Sequence, residues 1–502
     1  MNPSRKPRWP LGLRSLLLVL TAAGLGSGLN LSPLSAAPRH KARRAKPARS
    51  THSTKAAKSA RIREAAPEPR IPAIANPQAL QAFWGGLATL GQTSTTPGLV
   101  RVLQFGDSHT AADFWTGRLR SRLQQRFGDG GPGLILPSRP WRGYAHVGVG
   151  QSGFSAWTAT SLRAKECDGW VGLAGAAMIP PGTPESPLRF TGTFTEFRIH
   201  LLGGATDHAE AEIRRADAIT LAPAETSADG NGGRDGDLPP VPLAIRAAFP
   251  LPDVLVDPAP RPTATVQNPE PAPSGAPPAR MESILEKPLS FGQMLKIQGR
   301  SALEAGLKEL TLNLPTSARL LGVELRSGRS GVIVDELGLN GAEILDLERW
   351  NPELRGALLA QAHPDLIILA YGTNDMGRKD ITPEEYGARA RKLLSSLKQE
   401  SGASILVVGP LDRIGRNKRQ IPNLKAGARW VIDALRQAAL DSDCAFWDAR
   451  QAMGGEGAIL RWNRAGLAQK DLVHLTGPGY QKLGDAMADA LLEAFEAASP
   501  AK

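Results

Sequence analysis

Two short runs carry side chains that can perform nucleophilic chemistry: Gly106-Asp107-Ser108-His109 near the start of the chain and Asp471-Leu472-Val473-His474 near its end. A serine hydroxyl is a weak nucleophile until a base takes its proton, and an imidazole serves when a carboxylate fixes its tautomer. An Asp three residues before a His on a turn can accept a hydrogen bond from one ring nitrogen and leave the other facing the hydroxyl. The pattern points to Ser108 as nucleophile, His474 as general base and Asp471 as the orienting carboxylate. Each run alone is common, the first as a simple turn and the second as a capped turn with a surface histidine. His109 is a rival base. A ring does not turn easily onto its own neighbour's hydroxyl, so His109 reads as structural or substrate-facing and Asp107 as a turn-former.

Acyl transfer also needs donors for the oxyanion of the tetrahedral intermediate, and loss of one costs about 10²–10³ in rate. Tyr371-Gly-Thr-Asn-Asp375 follows the apolar run Leu366–Ala370, which sends the Asn374 amide to the end of a strand. Gly338-Leu-Asn-Gly341-Ala342 follows a strand around Val332, where a glycine lets a backbone N–H approach closely. The Ser108 N–H is the third donor. No Cys/His spacing suggests zinc, and this chemistry requires no metal or cofactor.

These residues need a scaffold that brings them to one place. Leu99–Phe105 reads as a strand and Thr110–Phe127 as a helix, with Trp115, Leu119, Leu123 and Phe127 on one face. Strands follow at Val332–Val334, Leu366–Ala370, Ile405–Val408 and Ala445–Trp447. Helices follow at Pro383–Gln399, opened by a Thr382…Glu385 capping box, around Lys425–Ala439, and after Pro478. Alternating β and α segments imply a parallel sheet covered on both faces, with sites at its carboxyl edge. Ser108 then falls where strand gives way to helix, where a helix N-terminus favours developing negative charge. Between about 150 and 325 the runs Leu188–Phe194, Phe197–Leu202 and Leu310–Pro315 alternate polar and apolar residues, as in an antiparallel sandwich inserted into the α/β unit.

The formal charge of +12 would suggest a nucleic-acid partner if it were spread over the fold. It is not. Residues 1–75 hold 15 Lys/Arg against Glu64 and Glu68, a net of +13, which leaves 12 − 13 = −1 for the rest. No nucleic-acid motif accompanies it. Arg5, Lys6 and Arg8 precede an apolar run from Leu16 to Leu29 and then Ser35-Ala36-Ala37, the layout of a secretory signal peptide. The run is shorter than the ~18 apolar residues of a membrane span, which favours a signal over an uncleaved anchor. No Cys sits there for lipidation. The expected organisation is a signal at 1–37, a basic linker at 38–75, an α/β segment at 76–149, a β-rich insertion at 150–325 and a second α/β segment at 326–502. A stretch at 223–280, with 14 of the 41 prolines, reads as a long disordered excursion from the insertion. Cys167 and Cys444 are the only cysteines, either one bridge in an exported protein or two buried thiols.

Taken in order, the Ser of Gly-Asp-Ser, a Gly after the second strand, the Asn of Gly-Thr-Asn-Asp and a terminal Asp-x-x-His resemble the four blocks of the SGNH (GDSL-like) hydrolase superfamily. The resemblance covers Pro77 to about 145 and 326 to 497. It implies a flavodoxin-like doubly wound parallel sheet. Gly-Asp-Ser-His-Thr in place of Gly-Asp-Ser-Leu, the run Asp471-Leu-Val-His-Leu-Thr-Gly-Pro-Gly-Tyr480, and a β-rich insertion between the first and second blocks are most similar to bacterial peptidoglycan O-acetylesterases. That subgroup implies a jelly-roll-like, carbohydrate-binding insertion, a triad of Ser108, Asp471 and His474, and oxyanion donors at Ser108, Gly341 and Asn374. The Pro-rich stretch departs from a compact jelly roll. Gly338, three residues before Gly341, competes for the second-block role. Trp141, Trp157 and Trp170 are candidates for stacking on sugar rings, core packing being the commoner fate.

The expected activity is removal of O-acetyl groups from an exported envelope glycan, peptidoglycan first, in the periplasm or cell envelope. Neither nucleic acid nor an integral membrane domain is expected once the signal is removed. The alternatives are a glycan O-acetyltransferase using the same triad, a GDSL-type lipase, and a non-catalytic wall-binding protein.

Overall fold

The computed structural model describes residues 68–90, 98–136, 140, 141, 143–181, 187–203, 210–215, 280–289, 292–301, 303, 306–314, 318–414 and 421–498. The expected signal peptide, nearly all of the basic linker and nearly all of the Pro-rich stretch lie outside the described residues.

Five strands form one parallel sheet in the order Gly331–Gly338, Leu99–Gly106, Leu366–Ala370, Ser404–Gly409 and Ala445–Asp448. Numbered along the chain this is 2-1-3-4-5, the flavodoxin-like order, with its switch point beside the first strand. All five strands are almost wholly buried, as continuous Val/Ile/Leu runs covered on both faces must be. Helices Phe114–Phe127 and Gly477–Ala498 cover one face, where Trp115, Leu119 and Leu123 meet Leu483, Met487 and Leu491 in one core. The other face carries Pro352–Ala362, Pro383–Ser401 and Ile421–Asp441. Of the capping box expected at the Pro383 helix the N-cap bond is present, the Thr382 hydroxyl accepting the Glu385 N–H at 3.1 Å.

Register fixes the rim. Gly106 pairs with both Gly338 and Ala370, and Gly409 pairs with Asp448, so all these strands end at one edge. Residues just beyond them are brought together whatever their distance in sequence.

The β-rich part forms two antiparallel sheets. One orders Thr158–Ser161, Ala176–Ile179, Arg319–Arg326, Glu196–Leu202, Gly292–Arg300 and Arg280–Leu289, with Gly133–Ile135 also paired to Arg319–Arg326. The other orders Gly150–Ser152, Leu188–Thr193, Leu307–Asn313 and Glu210–Arg215. Phe197, Ile199, Val323 and Leu325 from the first interdigitate with Phe190, Ile213, Leu310 and Leu312 from the second, which makes a sandwich. Gly133–Ile135 joins this sandwich ahead of residue 150, the expected start of the insertion.

The sandwich is fastened to the parallel sheet by more than apolar contact. Leu134, Leu202 and Leu321 share a core with Leu103, Leu337 and Ile367. Within the same interface Arg101 Nε lies 2.6 Å from Asp335 and its Nη1 3.3 Å from Glu324 of the sandwich, all three buried. His200 of the sandwich in turn reaches Gln361 of the Pro352–Ala362 helix at 2.8 Å. Buried charges of this kind are tolerated only when paired, so the pairing fixes how the two sheets meet.

Both cysteines are free, so the single bridge is not formed. Trp170 is buried in the shared core, while Trp141 and Trp157 are part-buried against Tyr144 and Phe154. No helix among the described residues is long and apolar enough to cross a membrane.

Candidate active site

Ser108 sits two residues past Gly106 in a tight turn in which the Asp107 carbonyl accepts the N–H groups of Thr110 and Ala111 at 3.1 and 3.2 Å. The helix starts only at Phe114, after Asp113 with φ 56°. This corrects the expectation that a helix N-terminus lies directly at the serine: a stretch of turn intervenes, and the helix dipole falls off within its first turn. The turn is instead held from below. Asp107 is buried and its carboxylate accepts the His109 N–H at 2.9 Å. Burial pushes the Asp107 carboxyl up to about 6, against the pull of that hydrogen bond and of nearby cationic groups.

The second partner comes from the loop before the last helix. Gln469 N–H donates to the His474 carbonyl at 2.8 Å and Thr476 N–H to the Leu467 carbonyl at 2.9 Å, which closes the loop on itself. Inside it Asp471 Oδ1 accepts the Val473 and His474 N–H groups at 3.0 and 3.1 Å, and Leu472 takes φ 57° to make the turn. Asp471 Oδ2 lies 2.7 Å from His474 Nδ1, and His474 Nε2 lies 2.9 Å from Ser108 Oγ. A carboxylate at Nδ1 selects the tautomer with its proton there and leaves Nε2 to accept from the hydroxyl. Partial burial raises the Asp471 carboxyl, but the hydrogen bonds from the His474 ring and the two backbone groups outweigh it and hold it at about 2. Ser108, His474 and Asp471 therefore form one hydrogen-bonded chain spanning 366 residues of sequence, with His474 and Asp471 12% and 21% exposed.

His109 does not compete for the hydroxyl. Its Nδ1 lies 2.9 Å from the Tyr480 hydroxyl, its ring is buried 5.2 Å from the His474 ring, and burial followed by the neighbouring His474 and Arg413 pushes its pKa well below the usual value.

The two donor segments also meet. Ala342 N–H donates to the Leu339 carbonyl at 3.0 Å with Gly341 at φ 73°, a turn whose third position favours glycine. Asn374 is part-exposed, and its Nδ2 donates to the Ala342 carbonyl at 2.9 Å, which leaves the second amide hydrogen for another acceptor. Gly338 serves packing instead. A Cβ there would lie 2.3 Å from Ala111 N, so its absence lets the serine turn rest on the second strand. Next to Asn374 opens a groove of ≈ 790 Å³ lined by Glu343, Asp346, Gly377, Arg378, Lys379 and Asp380.

Tyr480 closes the run that begins at Asp471 but receives no role from it, and no motif contains Arg413. Tyr480 lies six residues past His474, and Arg413 lies on the loop after the fourth strand, where its Nη1 donates to the Thr373 carbonyl at 2.7 Å. Only its place beyond a strand's carboxyl end could have flagged Arg413.

Residues 311–482 match the family model of the GDSL-like Lipase/Acylhydrolase family, so that segment carries a domain similar to acylhydrolases, enzymes that cleave ester bonds. The match spans Gly341, Asn374, Asp471 and His474 and leaves out the Ser108 segment. Among solved structures, a peptidoglycan O-acetylesterase aligns over 83% of this chain and 97% of its own, at 20% identity and a TM-score of 0.54, so the α/β sheet and the β insertion recur together. An acetyl xylan esterase from Geobacillus stearothermophilus aligns over 32% of this chain and 73% of its own, at 24% identity and a TM-score of 0.25. A lipase/acylhydrolase from Enterococcus faecalis aligns over 34% and 80%, at 20% identity and a TM-score of 0.26. No curated protein matches the chain by sequence.

Proposed function

We propose that this chain is an exported serine esterase that removes O-acetyl groups from an envelope glycan, with peptidoglycan the favoured substrate. Ser108 Oγ attacks the acetyl carbonyl while His474 Nε2 takes its proton; Asp471 holds the ring and stabilises the imidazolium that forms. The tetrahedral oxyanion is received by the N–H groups of Ser108 and Gly341 and by the free hydrogen of Asn374 Nδ2. His474 then returns its proton to the leaving sugar oxygen, and the same nitrogen activates a water that frees acetate and Ser108.

The observation that carries this reading is the 2.9 Å and 2.7 Å chain from Ser108 Oγ through His474 to Asp471. Two further facts support the glycan. The groove beside Asn374 is lined mainly by charged and polar residues, which suits the hydroxyl-rich surface of a sugar. The solved structure that shares both the sheet and the insertion is itself described as a peptidoglycan O-acetylesterase.

The test is hydrolysis of 4-nitrophenyl acetate and acetate release from O-acetylated peptidoglycan, by the wild type and by Ser108→Ala. We expect both activities in the first protein and neither in the second, with an unchanged circular dichroism spectrum. Turnover retained in Ser108→Ala would refute the assignment. Acetate that appears only when a glycan acceptor is omitted, and is otherwise moved onto that acceptor, would make the chain a transferase.

A further inference from the structure

The loop after the Ser404–Gly409 strand carries a guanidinium to the edge of this site. Arg413 Nη1 donates to the Thr373 carbonyl at 2.7 Å, one residue before Asn374. The next residue, Ile414, donates its N–H to the Leu472 carbonyl at 3.0 Å, inside the Asp471–His474 turn. Arg413 is thus held between the two segments that bear the proposed oxyanion donor and the proposed base.

Among the described residues its charge has no ion-pair partner, and Arg413 Nε is buried with no hydrogen-bond partner. Asp107 and Asp471 lie near enough to be felt. Neither makes an ion pair with Arg413: Asp471 is taken up by the His474 ring and two backbone N–H groups, and Asp107 accepts the His109 N–H through Oδ1, its Oδ2 being buried without a hydrogen-bond partner. A part-buried guanidinium with an unmatched N–H is costly, and such groups are ordinarily satisfied by a partner. With Nη1 committed to Thr373 and Nε buried, Nη2 is the N–H group left for a ligand, and a guanidinium N–H of this kind matches an oxygen of a carboxylate. The side chain is part-exposed, so a ligand can reach it.

We infer that Arg413 is a substrate-binding residue that anchors a carboxylate of the glycan, so that the esterase selects acetyl groups on anionic sugars. This rests on the esterase reading above. The acetyl group is neutral and the proposed triad handles it without a further cation, so a guanidinium here serves the rest of the substrate. In peptidoglycan the peptide is joined through the lactyl carboxyl, so the carboxylate is supplied by the peptide where it is attached and by the free lactyl ether where the peptide has been removed.

The test compares one soluble O-acetylated muropeptide with the same material after its carboxyl groups have been converted to amides, using wild type and Arg413→Gln. A charge-assisted hydrogen bond corresponds to about tenfold or more in affinity, so wild type should show a kcat/KM about tenfold higher for the acid form, lost through KM on amidation. The preference should shrink as salt rises and fall to near unity in Arg413→Gln. A peptide-free disaccharide, whose lactyl carboxylate is free, is compared with its own amide in the same way: a preference in the muropeptide assigns the peptide carboxylate, and one confined to the disaccharide assigns the lactyl group. Equal turnover of acid and amide by wild type with both substrates would overturn the inference, and so would an undiminished preference in Arg413→Gln. Should wild type fail to hydrolyse even 4-nitrophenyl acetate, it is the esterase reading that falls. The wild-type comparison stands even if the variant does not fold.

Discussion

The Tyr480 hydroxyl lies 2.9 Å from His109 Nδ1, and this contact ties the residue that follows Ser108 to the helix that follows His474. Tyr480 also stacks flat on Phe114, with ring centroids 6.4 Å apart and planes 3° from parallel. Tyr480→Phe keeps the stacking and removes the bridge, leaving a buried imidazole nitrogen unpaired. An orphaned buried polar group costs about 1–3 kcal/mol, so the melting temperature should drop. Because the bridge sets the spacing between the two halves of the site, kcat on 4-nitrophenyl acetate should fall about tenfold with KM little changed, the signature of a positioning residue. A variant with wild-type kcat would show that the bridge has no part in alignment.

Asp471→Asn tests the tautomer. Asn Oδ1 can still accept the Val473 and His474 N–H groups, so the turn survives. The amide nitrogen can no longer accept from Nδ1–H, and the ring is driven toward the tautomer whose Nε2 cannot take a proton. By analogy with other serine hydrolases a loss of about 10³–10⁴ in kcat is expected. The stability of the variant should also respond differently to acid. The folded value of Asp471 lies near 2, below 3.8, so the group contributes stability above about pH 4 that is lost as the pH falls toward 2. The variant should lack that component, measured as the change in urea midpoint between about pH 5 and pH 3.

The scaffold is legible because parallel-sheet strands are continuous apolar runs and their helices carry one-sided apolar faces. Leu366–Ala370 agrees to the residue, and the Lys425–Ala439 helix extends to Ile421–Asp441. The order of the strands emerges only from the resemblance, since nothing in a run such as Ile405–Val408 says which neighbour it pairs with. The start of the Phe114–Phe127 helix is hidden because Thr110, Ala111 and Ala112 suit a helix as well as a turn, and the left-handed Asp113 that separates the two leaves no mark in composition. The contacts of Tyr480 and Arg413 are hidden for a related reason. Each acts through a contact between distant segments, His109 with Tyr480 and Thr373 with Arg413, and neither pair is close in sequence.

Asp375 offers a pH experiment on stability. It is buried, accepts the Tyr386 hydroxyl at 2.7 Å, and burial pushes its carboxyl up to about 7 in spite of that bond. Its folded value lies above 3.8, so between about pH 4 and pH 7 the folded chain keeps a proton that the unfolded chain has released. By linkage this contribution to stability is full below about pH 4 and is lost as the pH rises through 7. Asp375→Asn keeps an oxygen for Tyr386 and cannot ionise. The fall in unfolding free energy from about pH 4.5 to 7 should therefore be smaller in the variant by a few kcal/mol, at about 1.4 kcal/mol per pH unit. Asp107 is raised in the same direction, so part of the slope should remain. Identical slopes in the two proteins would mean that Asp375 ionises normally.

Gly338 and Gly341 are rivals for the second-block role, and their surroundings separate them. At Gly338 a Cβ would sit 2.3 Å from Ala111 N and 2.6 Å from Ala111 Cα, both backbone atoms that cannot yield without moving the serine turn. At Gly341 the nearest atom is the Arg163 guanidinium at 3.7 Å, and the only obstacle is the φ of 73°. A left-handed residue with a Cβ costs roughly 1–2 kcal/mol. Gly341→Ala should therefore fold, with a melting temperature lowered by a few degrees, yet lose about tenfold or more in kcat because relaxing that φ swings the N–H of the turn away from the oxyanion. Gly338→Ala should instead lose stability first, by about 3 kcal/mol or more, the scale of overpacking against fixed backbone. Thermal melts and kcat on 4-nitrophenyl acetate distinguish the two patterns. A Gly341→Ala protein with full activity would remove residue 341 from the oxyanion site and leave the Ser108 N–H and Asn374 as its donors.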